Sequence, residues 1–296
     1  MPSSPLPIFH IPDFTPDTLD SSHFYYAGLK DHLATHKFIQ RPHKHDFYII
    51  VVFTQGKGSH TIDFKTYEVG SGSVFFLSPG QVHSWKLSTD SDGHILFFSA
   101  DFYTATFSRK RLNEYSLFNS ILEFPRMEIC SPEAKEIISF MEKIKKENST
   151  PTLFTKDVLR NFIDVLLIFF YRFKSSKTSF SKREKLSHNQ FQELELLIDT
   201  HFKKHREVSF YADQMNISMK QLNTISKHTV SKTSSQLILD RVILEAQRLL
   251  IHSELNISEI AYELEFEDAS YFSRLFKKKT GDTPEQFRNK LESNSL

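Results

Sequence analysis

The sequence predicts an α+β protein in two parts: a small β-barrel or double-sheet jelly roll, then an all-α region. Three observations carry this. Between Phe24 and Phe102 short apolar runs alternate with glycine and proline turns, beyond Phe102 the apolar residues recur at helical spacing, and a stretch near the C-terminus repeats at an interval of 49 to 50 residues. A chain of 296 residues suggests about two domains. With 39% hydrophobic and 25% charged residues it has the balance of a globular protein that buries a real core.

Residues 1 to about 20 are rich in proline and serine and read as a surface arm. Phe47 to Phe53, His60 to Phe64, Val74 to Leu77 and Ile95 to Phe98 read as strands, with turns at Gln55-Gly56-Lys57-Gly58 and Pro79-Gly80. Ser131 caps an expected helix from Pro132 that lines up Ile137, Ile138, Met141 and Ile144. A second helix, from about Leu153 to Phe173, is apolar around more than one face, so it must bury two sides. Asp164 interrupts its apolar run, which is far short of the ~20 residues of a membrane span, and no membrane partner is expected. No basic start followed by an apolar run opens the chain, and the single Cys130 cannot form an internal disulfide; both point to a reduced cytoplasm. Residues 174–187 are polar, rich in serine and lysine, and read as a linker.

The stretch Ile257 to Arg288 carries the most information. Ser258 is the expected cap of a short helix with Ile257, Ile260, Ala261 and Leu264 on one face. Asp268 caps a second helix that turns Phe272, Leu275 and Phe276 inward, Gly281 ends it, and Thr283-Pro284 starts a third. Two short helices around a tight corner form a helix-turn-helix, whose second helix enters a DNA major groove. Ala212, Met215 and Ile217 repeat Ala261, Leu264 and Phe266 at 49 residues, while Leu222, Ile225 and Lys227 repeat Phe272, Leu275 and Lys277 at 50. Two helix-turn-helix units are therefore expected, at 208–230 and 257–280. Ser231 and Ser234 replace Gly281 and Pro284 in the first, so its end is expected to be less sharply fixed.

Net charge is only +1, which gives no bulk argument for nucleic acid. Position matters more: Gln214 to Leu239 and Ala269 to Gly281 contain no acid at all. The candidate DNA contacts are Lys220, Gln221, Asn223, Thr224 and Lys227 in the first unit and Ser270, Ser273, Arg274, Lys277 and Lys278 in the second. Asn and Gln suit adenine edges, and Lys and Arg suit guanine or phosphate.

The run Ile260-Ala261, Phe266, Ser270-Tyr271-Phe272-Ser273-Arg274, Phe276-Lys277-Lys278, Gly281, Thr283-Pro284 and Phe287-Arg288 resembles the C-terminal signature of the AraC/XylS transcription regulators. It departs at Glu265, where the family commonly has glycine; a positive φ there costs Glu about 1 kcal/mol. The order His43-x-His45, Gly58, Gly72, Pro79-Gly80-x-x-His83 resembles the two motifs of the cupin barrel, whose metal-binding members add a glutamate where this chain has Phe47 to Phe53.

These resemblances imply a cupin-like sensor and dimerisation domain over 1–173, the linker, and a DNA-binding domain over 188–296. The implied partners are double-stranded DNA, a small-molecule effector, a second copy of the chain, and, for an activator, RNA polymerase. His43, His45, Tyr48, Phe76, His83 and Trp85 are the candidate effector contacts. Phe162, Leu166, Phe169 and Phe170 are the candidate dimer contacts, with a monomer that buries both sides of this helix itself as the alternative. No metal or cofactor is expected. The competing reading is a metal-dependent cupin-type enzyme using His43, His45 and His83. Against it, no phosphate loop, nucleophile motif or paired carboxylates accompany them, and the chain is read as a regulator rather than an enzyme.

Overall fold

The stretch Tyr48 to Phe53 is apolar at every position, which a strand sustains only when both its faces are covered. The computed structural model, which describes residues 7–15, 23–108, 112, 115, 117–118, 125–129, 133–176 and 182–293, shows how. Cys130 and the expected cap Ser131-Pro132 lie outside the described residues. The chain divides into an N-terminal unit, Pro7–Phe180, and a C-terminal one, Ser181–Leu296.

In the N-terminal unit the strands are β1 (Ile8–Phe9), β2 (Phe24–Gly28), β3 (His43–His45), β4 (Tyr48–Gln55), β5 (Gly58–Ile62), β6 (Lys65–Val69), β7 (Ser73–Leu77), β8 (Val82–Leu87), β9 (Asp92–Phe98) and β10 (Arg126–Glu128). They form two five-stranded sheets, ordered β1-β3-β8-β5-β6 and β10-β7-β4-β9-β2. The helices are α1 (Leu29–Thr35), α2 (Ala100–Thr104), α3 (Glu133–Ser149) and α4 (Thr155–Ser176). One face of the second sheet, with Ile49, Val51, Phe75 and Phe97, packs with Ile62, Val69 and Trp85 of the first. Its other face, with Tyr48, Ile50, Val52, Phe76 and Phe98, packs with Ile137, Met141 and Ile144 of α3 and Ile163, Leu167 and Phe170 of α4. The layers are sheet, sheet and helix pair: of the two expected forms, barrel or double-sheet jelly roll, the second is observed, with two sheets face to face and not closed into a barrel.

The same packing corrects two of the dimer contacts. Leu166 and Phe170 are fully buried in the protomer's own core, because α4 turns that side onto the sheet. Phe162 and Phe169 are half-buried, and the Phe169 ring lies 5.1 Å from that of Phe140 on α3. Asp164 stays inside an apolar helix by accepting hydrogen bonds from the hydroxyls of Tyr103 (2.6 Å) and Tyr115 (2.7 Å).

Among the described residues the regular elements of the C-terminal unit are all helices: α5 (Lys182–His201), α6 (Val208–Gln214), α7 (Met219–Val230), α8 (Ser234–His252), α9 (Ile257–Glu263), α10 (Ala269–Thr280) and α11 (Pro284–Ser293). α4 runs on to Ser176 and α5 starts at Lys182, so most of the expected linker over 174–187 is helix. Lys, Arg and Glu are good helix formers even without an apolar stripe, and the division between the two units falls within this same segment, after Phe180. Among the described residues no helix is long and apolar enough to cross a membrane.

Gly93 faces the bulge in β4 between Phe53 and Gln55. Its φ is +151°, and a Cβ there would stand 2.0 Å from the Val52 carbonyl oxygen. Gly93→Ala is expected to lower the stability of the N-terminal unit by at least about 2 kcal/mol, read by urea unfolding.

Candidate nucleic-acid interface and sensor site

Each pair α6/α7 and α9/α10 turns a corner through one residue in the left-handed region, Asn216 (φ +53°) and Glu265 (φ +56°). The corners close identically. Ile217 N–H donates to Ala212 O at 3.0 Å and Phe266 N–H to Ala261 O at 2.9 Å, while Asn216 and Glu265 N–H donate to Asp213 O and Tyr262 O. This paired bonding is a Schellman motif, which ends one helix and aims the chain into the next. The recognition helices start on Ser218 Oγ, which accepts from Gln221 N–H at 3.2 Å, and on Asp268 Oδ1, which accepts from Ser270 N–H at 2.7 Å.

They also end alike: Ser231 N–H bonds to Lys227 O and Gly281 N–H to Lys277 O, with φ of +57° and +88°. Ser231 thus holds the left-handed stop that glycine supplies in the second unit, and the expected loose end is a formed cap. Thr233 and Thr283 each accept from the N–H of Gln236 and Gln286 at 3.2 Å and receive these side chains on their own N–H. One further correction is local: Asn256, with Glu259 completing the box, caps α9 in place of Ser258.

On α7, Lys220, Gln221, Thr224 and Lys227 are exposed, while Leu222 and Ile225 are buried. Lys220, Asn223, Thr224 and Lys227 line a groove of about 510 Å³ with Thr233 and Ser235. Asn223 is only half-exposed, and its Oδ1 accepts from Ser234 N–H at 3.0 Å, so its oxygen already serves the start of α8. On α10, Ser270, Arg274, Lys277 and Lys278 are exposed and Ser273 is half-exposed. Arg274 reaches Asp268 only at 3.9 Å across open surface, a contact worth little.

The six expected effector contacts do not share a cavity. Tyr48 and Phe76 point to the helices, whereas His45, His83 and Trp85 lie on the side of the first sheet that faces the second. The period of two separates them. His43 pairs with His83 across β3 and β8, and Trp85 with His60 across β8 and β5, so one sheet face collects four histidines and a tryptophan. All four histidines are buried. Burial pushes His43 down to about 4 and His60 to about 3, and drives His45 and His83 well below the ordinary histidine range, so all four stay neutral near pH 7. An open cavity of about 970 Å³ lies elsewhere, lined by Tyr25, Tyr26, Phe102, Leu153, Phe154 and Arg160 among others.

The sequence profile of the AraC-like ligand binding domain matches residues 23–145, and that of a helix-turn-helix domain matches 211–290. The chain belongs to the AraC family of transcription regulators. It is 24% identical over 258 residues to the HTH-type transcriptional activator RhaS of Escherichia coli O1:K1 / APEC, across 83% of this chain and 86% of that one. Among solved structures it is similar to unsaturated-fatty-acid-bound ToxT from Vibrio cholerae strain SCE256, at 15% identity over 90% of this chain and 95% of that one, with a TM-score of 0.40. It is also similar to the C-terminal domain of the response regulator yesN from Fusobacterium nucleatum, at 26% identity over 34% of this chain and 98% of that one, with a TM-score of 0.32. This AraC-family chain therefore pairs a ligand-binding unit with a DNA-binding one.

Two arginines hold this AraC-type unit together: Arg206, which no sequence pattern singled out, and Arg288, which closes the signature run without its contacts being legible there. Arg206, in the turn before α6, covers the Phe266 ring at 3.8 Å and donates to Lys203 O at 3.1 Å and to Leu264 O. The first helix-turn-helix is thereby fastened to the corner of the second. Arg288 donates to Leu250 O (2.8 Å) and Leu255 O (2.7 Å), tying α11 to the end of α8. Only the spacing between elements, which no local pattern encodes, makes these contacts.

Two outcomes follow for stability. Glu265→Gly is expected to stabilise the C-terminal unit by about 1 kcal/mol in thermal unfolding, because Glu pays for a left-handed backbone that glycine adopts freely. Arg206→Ala is expected to cost about 2 kcal/mol in the same assay, and Arg206→Lys to recover only part, since an ammonium cannot fork between two carbonyls or lie flat on the ring.

Proposed function

We propose that this AraC-family regulator is a cytoplasmic transcription activator that reads two successive major grooves with α7 and α10 and answers to a small-molecule ligand of its N-terminal unit. The observation that carries the reading is the duplication itself. Two corners with the same hydrogen bonds present two helices whose outer faces carry Lys220, Lys227, Arg274, Lys277 and Lys278, inside two windows without acids. α8 links them, and its 19 residues at 1.5 Å each give a spacer of about 28 Å, close to the ~34 Å turn of DNA. The shortfall is made up by DNA bending.

Gln221, Thr224 and the amide nitrogen of Asn223 are the base readers on α7; Ser270 and Ser273 join the basic residues of α10 on phosphate and base edges. The functional division follows 1–173 for sensing and pairing, 174–187 for connection and 188–296 for DNA. Two copies pair through α3 and α4, where Phe140, Phe162 and Phe169 remain half-buried. The bound regulator presents itself to RNA polymerase and carries out no chemistry of its own. The 970 Å³ cavity falls within the roughly 300–1,000 Å³ usual for small-molecule sites and offers the ligand aromatic walls and the Arg160 side chain.

The test is selection of bound sequences from a random duplex pool by the full chain. A motif of two elements about one helical turn apart is the expected result, and a site with a single element would overturn tandem reading. On the selected site, Lys227→Ala and Arg274→Ala are each expected to weaken binding and to lower the slope of log K against log salt by about 1, with unchanged thermal unfolding. Unaltered slopes in both variants would remove these residues from the interface.

A further inference from the structure

We propose that His43, His45 and His83, backed by His60, form a binding site for one divalent transition-metal ion of the zinc class. One ring nitrogen from each of His43, His45 and His83 lies within 4.8 Å of the others. His43 Nδ1 donates to Arg41 O at 2.7 Å, which fixes the tautomer and leaves a lone pair on Nε2. That Nε2 is buried and has no hydrogen-bond partner. His45 Nε2 and His83 Nε2 face each other at 2.5 Å, and His83 Nδ1 meets His60 Nε2 at 2.9 Å. If His83 donates from Nδ1 to His60, its Nε2 carries a lone pair as well, and three imidazole lone pairs converge.

A packed core has no use for this arrangement. His45 Nδ1, His60 Nδ1 and Trp85 Nε1 are also buried without partners, so the cluster leaves four polar nitrogens unsatisfied in one place. An ion satisfies the one on His43 outright. It also replaces the opposed pair of ring nitrogens with a shared ligand. With metal–nitrogen bonds of about 2.0–2.1 Å, tetrahedral ligands stand ~3.3 Å apart, so His45 and His83 part slightly while His43 moves in. Neutral imidazoles suit zinc, cobalt, nickel and copper, and burial already keeps these rings neutral. His60 acts on the ion only through His83, as the support that sets its tautomer. Three neutral donors leave the fourth position and the ion's charge open, which favours an anionic fourth donor. Phe9 and Phe47 flank the cluster, with ring centres 5.4 Å from His43 and 4.6 Å from His45. The site needs no DNA and stands whether or not the operator reading holds.

The test uses the full chain, stripped with a chelator and titrated with Co²⁺ and then Zn²⁺. One Co²⁺ per chain with the intense visible bands of a four-coordinate ion, bleached by one equivalent of Zn²⁺, is the expected result. His60→Gln should weaken binding by about 10- to 100-fold, and His43→Gln and His83→Gln by more. His10→Asn, which changes an exposed histidine, should leave it unaltered. Near-ultraviolet circular dichroism of the metal-free variants checks that each is folded. A wild-type chain that takes up no cobalt, or takes it up with the weak spectrum of a six-coordinate surface site, would overturn the proposal. So would binding that survives His43→Gln combined with His83→Gln.

Discussion

Everything the C-terminal unit presents to a groove depends on one backbone constraint, the left-handed residue at each corner. A recognition helix is useful only if its angle to the helix before it is fixed, and side-chain packing alone allows that angle to drift. Here the chain closes a Schellman pair across Asn216 and again across Glu265, with Phe266 buried behind the second corner and Ile217 half-buried behind the first. Neither position is glycine, so each corner carries strain that the buried contacts must outweigh. Arg206 adds to the second corner what its backbone lacks, laying a guanidinium on Phe266 and bonding the carbonyl of Leu264. The two helix-turn-helix units are in this respect unequal, since the first corner is held by a more tolerant asparagine.

The duplication also shows where the units diverge. Ile217 is followed directly by the cap Ser218, whereas Glu267 stands between Phe266 and the cap Asp268, which accounts for the change in repeat interval from 49 to 50 residues. Beyond the insertion the caps, stops and capping boxes correspond one for one, even where serine has replaced glycine. Hydrogen bonds have kept a geometry that residue types have not.

That difference explains what the sequence made legible. Helices and corners rest on local spacing, and Ile260, Leu264, Phe272 and Phe276 announced them at a distance of a few residues. The strands were readable where apolar runs are continuous, as in β4, but β8 escaped because Val82, His83, Ser84 and Trp85 look like a polar loop until the face opposite is known. Sheet closure, the partners of Arg206 and the meeting of His60 with His83 depend on which strands become neighbours. The likeness to a cupin-type sensor barrel implies one pocket for Tyr48 and His45, yet side chains alternate along a strand and the intervening turn sets a new register, so the two fall on different faces.

The second sheet is the mechanical centre of the sensor unit. It is packed on both sides, by the aromatic and histidine layer of the first sheet and by α3 and α4, and interiors this dense transmit displacement instead of absorbing it. Phe75 touches His60 on one side of the sheet, and Phe76, its neighbour in β7, meets Phe170 of α4 on the other, with ring centres 4.7 and 4.9 Å apart. One strand, β7, therefore lies between the histidine layer and the helix whose far side leaves Phe162 and Phe169 half-buried. The layer order, more than any one residue, sets a buried polar cluster and a partly exposed helix face on opposite sides of one sheet.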